Sequence, residues 1–293
     1  MISKSTLLHL RISFSFFLMP VYVFALCISP NVSGNSLLWS FLIIHLLLYP
    51  ASNGFNSYFD KDEKSIGGLK NPPPVKKDLY YTSIMLDITA IILALVFISK
   101  EFAVMLLIYG LVSKAYSHPL VRLKKYPVAG WLTVVFFQGV FTFVMSYAGL
   151  NKFPFPNLIQ EKVLIPGLLT SLMFFATYPM TQVYQHEEDS KRGDITMSLR
   201  LGIRGTFLFA MFFFSIATAG FVWFFIKTFS AFYAVVFLVT QSPVVIFFLL
   251  WFFAVLKDSR NADHKSTMRL NFISSLCLNA FFVYLFLHTW HYI

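Results

Sequence analysis

The stretch ISFSFFLMPVYVFALCISPNVSGNSLLWSFLIIHLLLYPASNGFNSYF, Ile12–Phe59, decides the fold, because it contains no Asp, Glu, Lys or Arg. A bilayer core takes about 20 apolar residues as helix. The run therefore holds two crossings, near 12–29 and 37–59, with Pro30, Asn31, Gly34 and Asn35 marking the turn between them. Further spans are predicted at 79–99, 102–121, 126–150, 163–185, 205–226, 229–256 and 270–290. The third is interrupted only by Asp87 and the fourth by Lys114, near a helix end where a lysine can snorkel to the interface. The expectation is an all-α, polytopic membrane protein, one domain over residues 1–293, with nine transmembrane helices around a central cavity.

Composition agrees with this reading. Of 293 residues 57% are hydrophobic and 12% charged, against roughly 25% charged in soluble domains, which excludes a soluble globular enzyme. The 36 Phe and 14 Tyr exclude a disordered chain. Cys27 and Cys277 sit in apolar runs and read as packed thiols. The first apolar segment is long enough to span and lacks an A-x-A-type cleavage site, so it reads as retained.

The net charge of +10 would suggest a nucleic-acid partner only if the basic residues formed one patch. Instead they alternate with the spans. With nine spans, 19 of the 23 Lys and Arg fall on one side and 4, namely Lys100, Lys152, Lys162 and Lys227, on the other. The positive-inside rule then puts the N-terminus in the cytoplasm and the C-terminus outside, as in a bacterial inner membrane. Ten of the 13 acidic residues share the inner side, four after span two and four after span six. That spacing suggests a parallel duplication of spans one to four in five to eight.

Those two loops carry the chemistry. In the first, Asn53, Asn56 and Asp60 stand at i, i+3 and i+7, one helical face where span two leaves the membrane, and lysines follow. Carboxamide and carboxylate oxygens suit Mg²⁺ shared with a substrate phosphate. In the second, Gln185 and Asp189 stand at i and i+4, followed by Lys191 and Arg192, again oxygen ligands succeeded by phosphate-binding cations. Either loop alone reads as a solvated connection. Two on one face of the membrane favour a shared site.

These residues resemble the UbiA superfamily of intramembrane prenyltransferases. Asn56, Asp60 and Lys64 occupy the places of its N-x-x-x-D-x-x-x-D motif, and the Asn53–Asn56 doublet is similar to the menaquinone branch. Gln185, Asp189, Gly193, Thr196, Leu201 and Gly202 follow the layout of its second, D-x-x-x-D motif. Tyr116, Ser117, Lys124 and Lys125 resemble its Tyr-Ser pair and basic cluster after the fourth helix. Two positions depart: Lys64 and Gln185 each replace an Asp, with Asp62, Glu63 and Glu188 nearby to compensate. Lys70 is the nearest substitute for the family's arginine before the prolines at 72–74, and a lysine offers a point charge instead of a fork.

The resemblance implies Mg²⁺-dependent transfer of a prenyl group from a polyprenyl diphosphate to a lipophilic, aromatic acceptor in the membrane. It implies Asn56, Asp60, Gln185 and Asp189 as metal ligands, with Asn56, Asp60 and Asp189 catalytic. Lys64, Lys70, Tyr116, Lys124, Lys191 and Arg192 would bind the diphosphate. An acceptor-free terpene cyclase of the same family, and a binder or transporter of isoprenoids or anionic lipids, are the alternatives. Outside the motifs, Asp87 reads equally as a chamber residue and as an acid bonded to a neighbouring helix, and His45 as a packed histidine. His186 lies within the second cluster.

Overall fold

The computed structural model describes residues 2–290, and among these it is helical apart from one bridge between Ile66 and Leu69. A short α1 (Lys4–His9) and a tight turn at Ile12–Phe17 lead to α2 (Met19–Cys27). There follow α3 (Gly34–Asp60), α4 (Asp78–Phe97), α5 (Lys100–Ser117), α6 (Pro127–Asn151) and α7 (Glu161–Met180). The short α8 (His186–Arg192) precedes α9 (Met197–Thr228), α10 (Ala231–Lys257) and α11 (His264–Thr289).

Among the described residues seven helices are long and apolar enough to cross a membrane, and an eighth crossing results if the segment before Cys27, bent by 41°, is one span. The helix expected as the fourth span, α5, is not among them, since Lys100, Glu101 and Lys114 fall within its 18 residues. The expected nine therefore exceeds what length and composition support. Lys114 of α5 pairs with Asp87 of α4, so the two charges that interrupt these helices compensate each other, as groups at that depth must. Asp87 is thus bound to the neighbouring helix and does not line the cavity.

The bundle is a ring. From α3 onward each long helix packs against the next, and α11 returns to pack on α2. One half is plugged by aromatic side chains: Phe24 is fully buried among Phe143, Phe221, Phe224, Phe225 and Phe282, at ring distances of 4.6 to 6.3 Å. Burying each such ring stabilises the fold by about 1.5–3 kcal/mol. Near this end Asn151 joins the chain turn at Asn31 and Lys152 caps the end of α4 at the Phe97 carbonyl. With this half filled, the open space lies at the other end, where the two polar loops emerge.

Two local irregularities shape that space. In α3 a wide turn at Ile43–Leu48 precedes Pro50, whose missing N–H breaks the regular ladder. In α6 a similar turn at Phe137–Phe141 contains Gly139, where α6 and α7 touch: the Ser171 hydroxyl accepts from Val140 N–H at 2.9 Å and donates to the Val135 carbonyl at 3.0 Å. A Cβ on Gly139 would fall 2.3 Å from Ser171 Oγ and 2.5 Å from its Cα, so no other residue fits. His45, in the α3 turn, is buried with Nδ1 3.2 Å from the Phe41 carbonyl oxygen, as a packed histidine would be.

Candidate active site

The face read from the sequence forms as expected: Asn53, Asn56 and Asp60 line one cavity of about 240 Å³ at the open end. Asn56 donates to the Ser117 hydroxyl at 2.8 Å, tying the end of α3 to the end of α5. The helix stops at Asp60 because Lys61 takes a left-handed conformation (φ 50°), which turns Asp62 back toward the cavity wall.

The second segment arrives from the other half of the ring. After α7 the chain turns through Tyr184 into α8, whose inner face carries Asp189 and Arg192, one turn apart. Gly193, at φ 72°, then reverses the chain. Asp194 follows in the turn, and Thr196 caps α9 by accepting from Leu199 N–H at 3.3 Å and donates to Asp189 Oδ2 at 3.3 Å. A third contribution comes from the turn after α5, where Arg122 (φ 43°) and Lys124 point inward.

Charge organises the centre. Asp60, with a side chain 5% exposed, pairs with Lys124 and lies 3.6 Å from Arg122 and 3.9 Å from Arg192. Arg122 grips Asp194 with two bonds, 2.8 and 2.7 Å. Arg192 donates to Asp62 at 2.5 Å. Burial raises the Asp62 carboxyl above its ordinary range, the neighbouring Asp60 adds to this, and Arg192 opposes it. Asp189 takes part in none of these pairs among the described residues, and burial pushes its carboxyl up to about 7 against the pull of Arg192 and Lys124.

Toward the membrane the walls turn aromatic. Tyr109, Phe137 and the hydrogen-bonded pair Tyr116–Tyr178 line the cavity. Gln182 donates to the Tyr178 hydroxyl at 3.1 Å, while its own Oε1 is buried without a partner. Beyond Gln138, Tyr178 and Thr181 an apolar chamber of about 120 Å³ continues between the first helical segment and α11.

Of the residues expected from sequence, the structure gathers Asn56, Asp60, Tyr116, Lys124, Gln185, Asp189 and Arg192 around this cavity. It places three elsewhere. Lys64 lies past the end of α3, and its ammonium bonds to Glu187 at 2.5 Å on the exposed rim. Lys191 projects from the outer face of α8, paired to the same Glu187 at 2.7 Å. Lys70 lines a separate groove beside the start of α11. His186 is bonded to the Ser198 hydroxyl at 2.8 Å and does not line the cavity.

Conversely, Arg11, Tyr178, Gln182 and Asp194 line it, and Arg122 reaches Asp60, although none was among the expected ligands; Asp62, offered by the sequence as a compensating acid, lines it too. Arg11 bonds to the Asn53 and Gly67 carbonyls at 3.2 and 3.1 Å. Its signal was available, since a charge immediately before a 48-residue uncharged run is costly unless used.

Among the described residues no three His, Cys, Asp or Glu form a metal-holding group. Mg²⁺ is commonly held by one or two carboxylates together with substrate phosphates. The hard oxygens of Asp60 and Asp189, with Asn56 and Gln185 lining the same cavity, fit such a role.

The model of the UbiA prenyltransferase family matches residues 17–276. No curated protein matches significantly. Among solved structures, a UbiA homolog from Archaeoglobus fulgidus bound to GPP and Mg²⁺ superposes with a TM-score of 0.66 at 18% identity, over 97% of this chain and 99% of that one. The same homolog bound to DMAPP and Mg²⁺ gives 0.64 at 17%, over 97% and 99%. A structure described as digeranylgeranylglyceryl phosphate synthase gives 0.62 at 20%, over 97% and 98%. With the family model covering most of its length, the chain belongs to the UbiA prenyltransferase family.

Proposed function

We propose that the protein transfers a prenyl group from a polyprenyl diphosphate to a lipophilic, aromatic acceptor within the membrane. The observation that carries this reading is that acids and cations from both polar segments meet at the mouth of a cavity whose inner walls are aromatic and apolar. A molecule with a diphosphate head and an isoprenoid tail matches that gradient.

Arg122, Lys124 and Arg192 bind the diphosphate, and Asp60 and Asp189, with Asn56 and Gln185 in support, hold Mg²⁺. Bound there, Mg²⁺ supplies further neutralisation of charge on the departing diphosphate. In the reaction the allylic C–O bond breaks heterolytically, and the electron pair leaves with the diphosphate, where the three cations stabilise it. The faces of Tyr109, Phe137 and Tyr178 attract the allylic cation. The acceptor's nucleophilic carbon forms the new C–C bond, and its proton passes to the released diphosphate. The chamber beyond Tyr178 excludes water from the cation.

If α5 also crosses, giving the nine spans on which the count of 19 to 4 rests, the basic asymmetry supports a cavity mouth on the cytoplasmic side of a bacterial inner membrane. The test of function is product analysis: purified protein with Mg²⁺ and allylic diphosphates, with and without aromatic acceptors. Prenylated acceptor supports the reading, and cyclised hydrocarbon without acceptor replaces it with a cyclase.

A further inference from the structure

Outside the cavity lies a second, differently built site. Lys70, Lys265 and Arg269 line a groove of about 630 Å³ that is separated from the cavity by Met268, which faces both. None of the three is in an ion pair among the described residues. The acid on the groove, Asp263, is engaged as the cap of α11, its Oδ1 accepting from Ser266 N–H at 2.7 Å.

The groove also has a direction. Lys265 and Arg269 stand at i and i+4 on α11, and Phe272, Ile273 and Leu276 continue the same stripe at i+7, i+8 and i+11. Phe272 is 52% exposed and Leu276 50% on a helix that spans the bilayer. Cations thus stand where the helix leaves the membrane, and an open apolar track runs from them into it. His264 fixes the opposite wall, its Nε2 lying 3.0 Å from the Ile66 carbonyl oxygen.

We propose that this groove binds an anionic phospholipid, its phosphodiester on Lys70, Lys265 and Arg269 and an acyl chain along Phe272 and Leu276. Charge distinguishes this ligand from the prenyl donor. A diphosphate carries several negative charges and brings a metal that needs carboxylate ligands, several of which stand in the cavity, whereas the groove's one acid, Asp263, is engaged as a helix cap. A singly charged phosphodiester is neutralised by the cations alone. The proposal does not rest on the prenyl-transfer reading.

The test is lipid retention by the full chain in mixed micelles of equal amounts of dioleoyl-phosphatidylglycerol and dioleoyl-phosphatidylcholine, read by native mass spectrometry. Wild type should retain phosphatidylglycerol in preference. The double variant Lys265→Gln, Arg269→Gln should lose about tenfold in that preference, given the attraction of an anionic headgroup to each cation. Lys76→Gln, Lys77→Gln, which removes two exposed cations elsewhere, should not. Phe272→Ser should weaken retention with the charges intact, which separates the tail from the head. Equal retention of the two lipids, or equal loss in both double variants, overturns the proposal. Displacement of the lipid by millimolar inorganic phosphate would assign the groove to free phosphate instead and overturn it as well.

Discussion

Asp62 and Arg192, 130 positions apart in the chain, are joined by a 2.5 Å hydrogen bond, and the same guanidinium lies 3.9 Å from Asp60. That bond makes one site of the two polar segments. Without ligand, the acids act as counter-ions for the cations. On the proposed function, Mg²⁺ and diphosphate arriving together would keep this neutrality, with the metal on the carboxylates and the phosphates on Arg122, Lys124 and Arg192. Neither ligand alone would do so.

The first prediction is therefore synergy. Affinity for geranyl diphosphate should rise steeply with Mg²⁺ in wild type, and Lys124→Ala should weaken binding at every Mg²⁺ concentration. Affinity indifferent to Mg²⁺ would remove the metal role assigned to Asp60 and Asp189.

Lys64, Lys70 and Lys191 lie outside the cavity, two of them in exposed ion pairs that solvent screens. Replacing each by Ala should change turnover by less than about fivefold. Arg192→Ala should cost about 10²-fold or more, as loss of a transition-state donor does. Steady-state rates at saturating donor decide between these outcomes.

The Asp189 carboxyl titrates near 7 in the fold, from an ordinary value of 3.8. A raised acid favours the folded state when protonated. Its contribution is fully present below about pH 4 and lost as pH rises through 7. Metal-free wild type should therefore lose stability relative to Asp189→Asn between those limits, measured as the difference in melting temperature. A constant difference would show that burial does not perturb this carboxyl.

Gly139→Ala forces α6 from Ser171 and should lower stability by about 1–3 kcal/mol, the usual effect of overpacking. Thermal unfolding in detergent measures it, with Gly34→Ala, where a Cβ meets nothing within 4 Å, as the neutral control.

The span pattern and the Asn53–Asn56–Asp60 face were legible because hydropathy and helical period act locally. Lys64 reads as a site residue from its place in the motif, but the left-handed Lys61 ends the helix at Asp60 and Lys64 lies on the rim against Glu187. Lys191 was misplaced because Asp189 and Arg192 share the inner face of α8 and the residue between them points away. Arg122 and Asp194 were invisible for a related reason: each follows or occupies a positive-φ turn, at Arg122 itself and at Gly193, so its direction depends on tertiary packing.

The central claim is that Asp60 and Asp189 serve one metal-diphosphate site. The direct measurement is a double-mutant cycle with Asp60→Asn, Asp189→Asn and both, reading geranyl diphosphate binding at saturating Mg²⁺. Groups in one network couple by about 0.5–3 kcal/mol, whereas distant ones add within about 0.5 kcal/mol. The account predicts that the second substitution costs little once the first is made. Additive losses would place the two aspartates in independent sites.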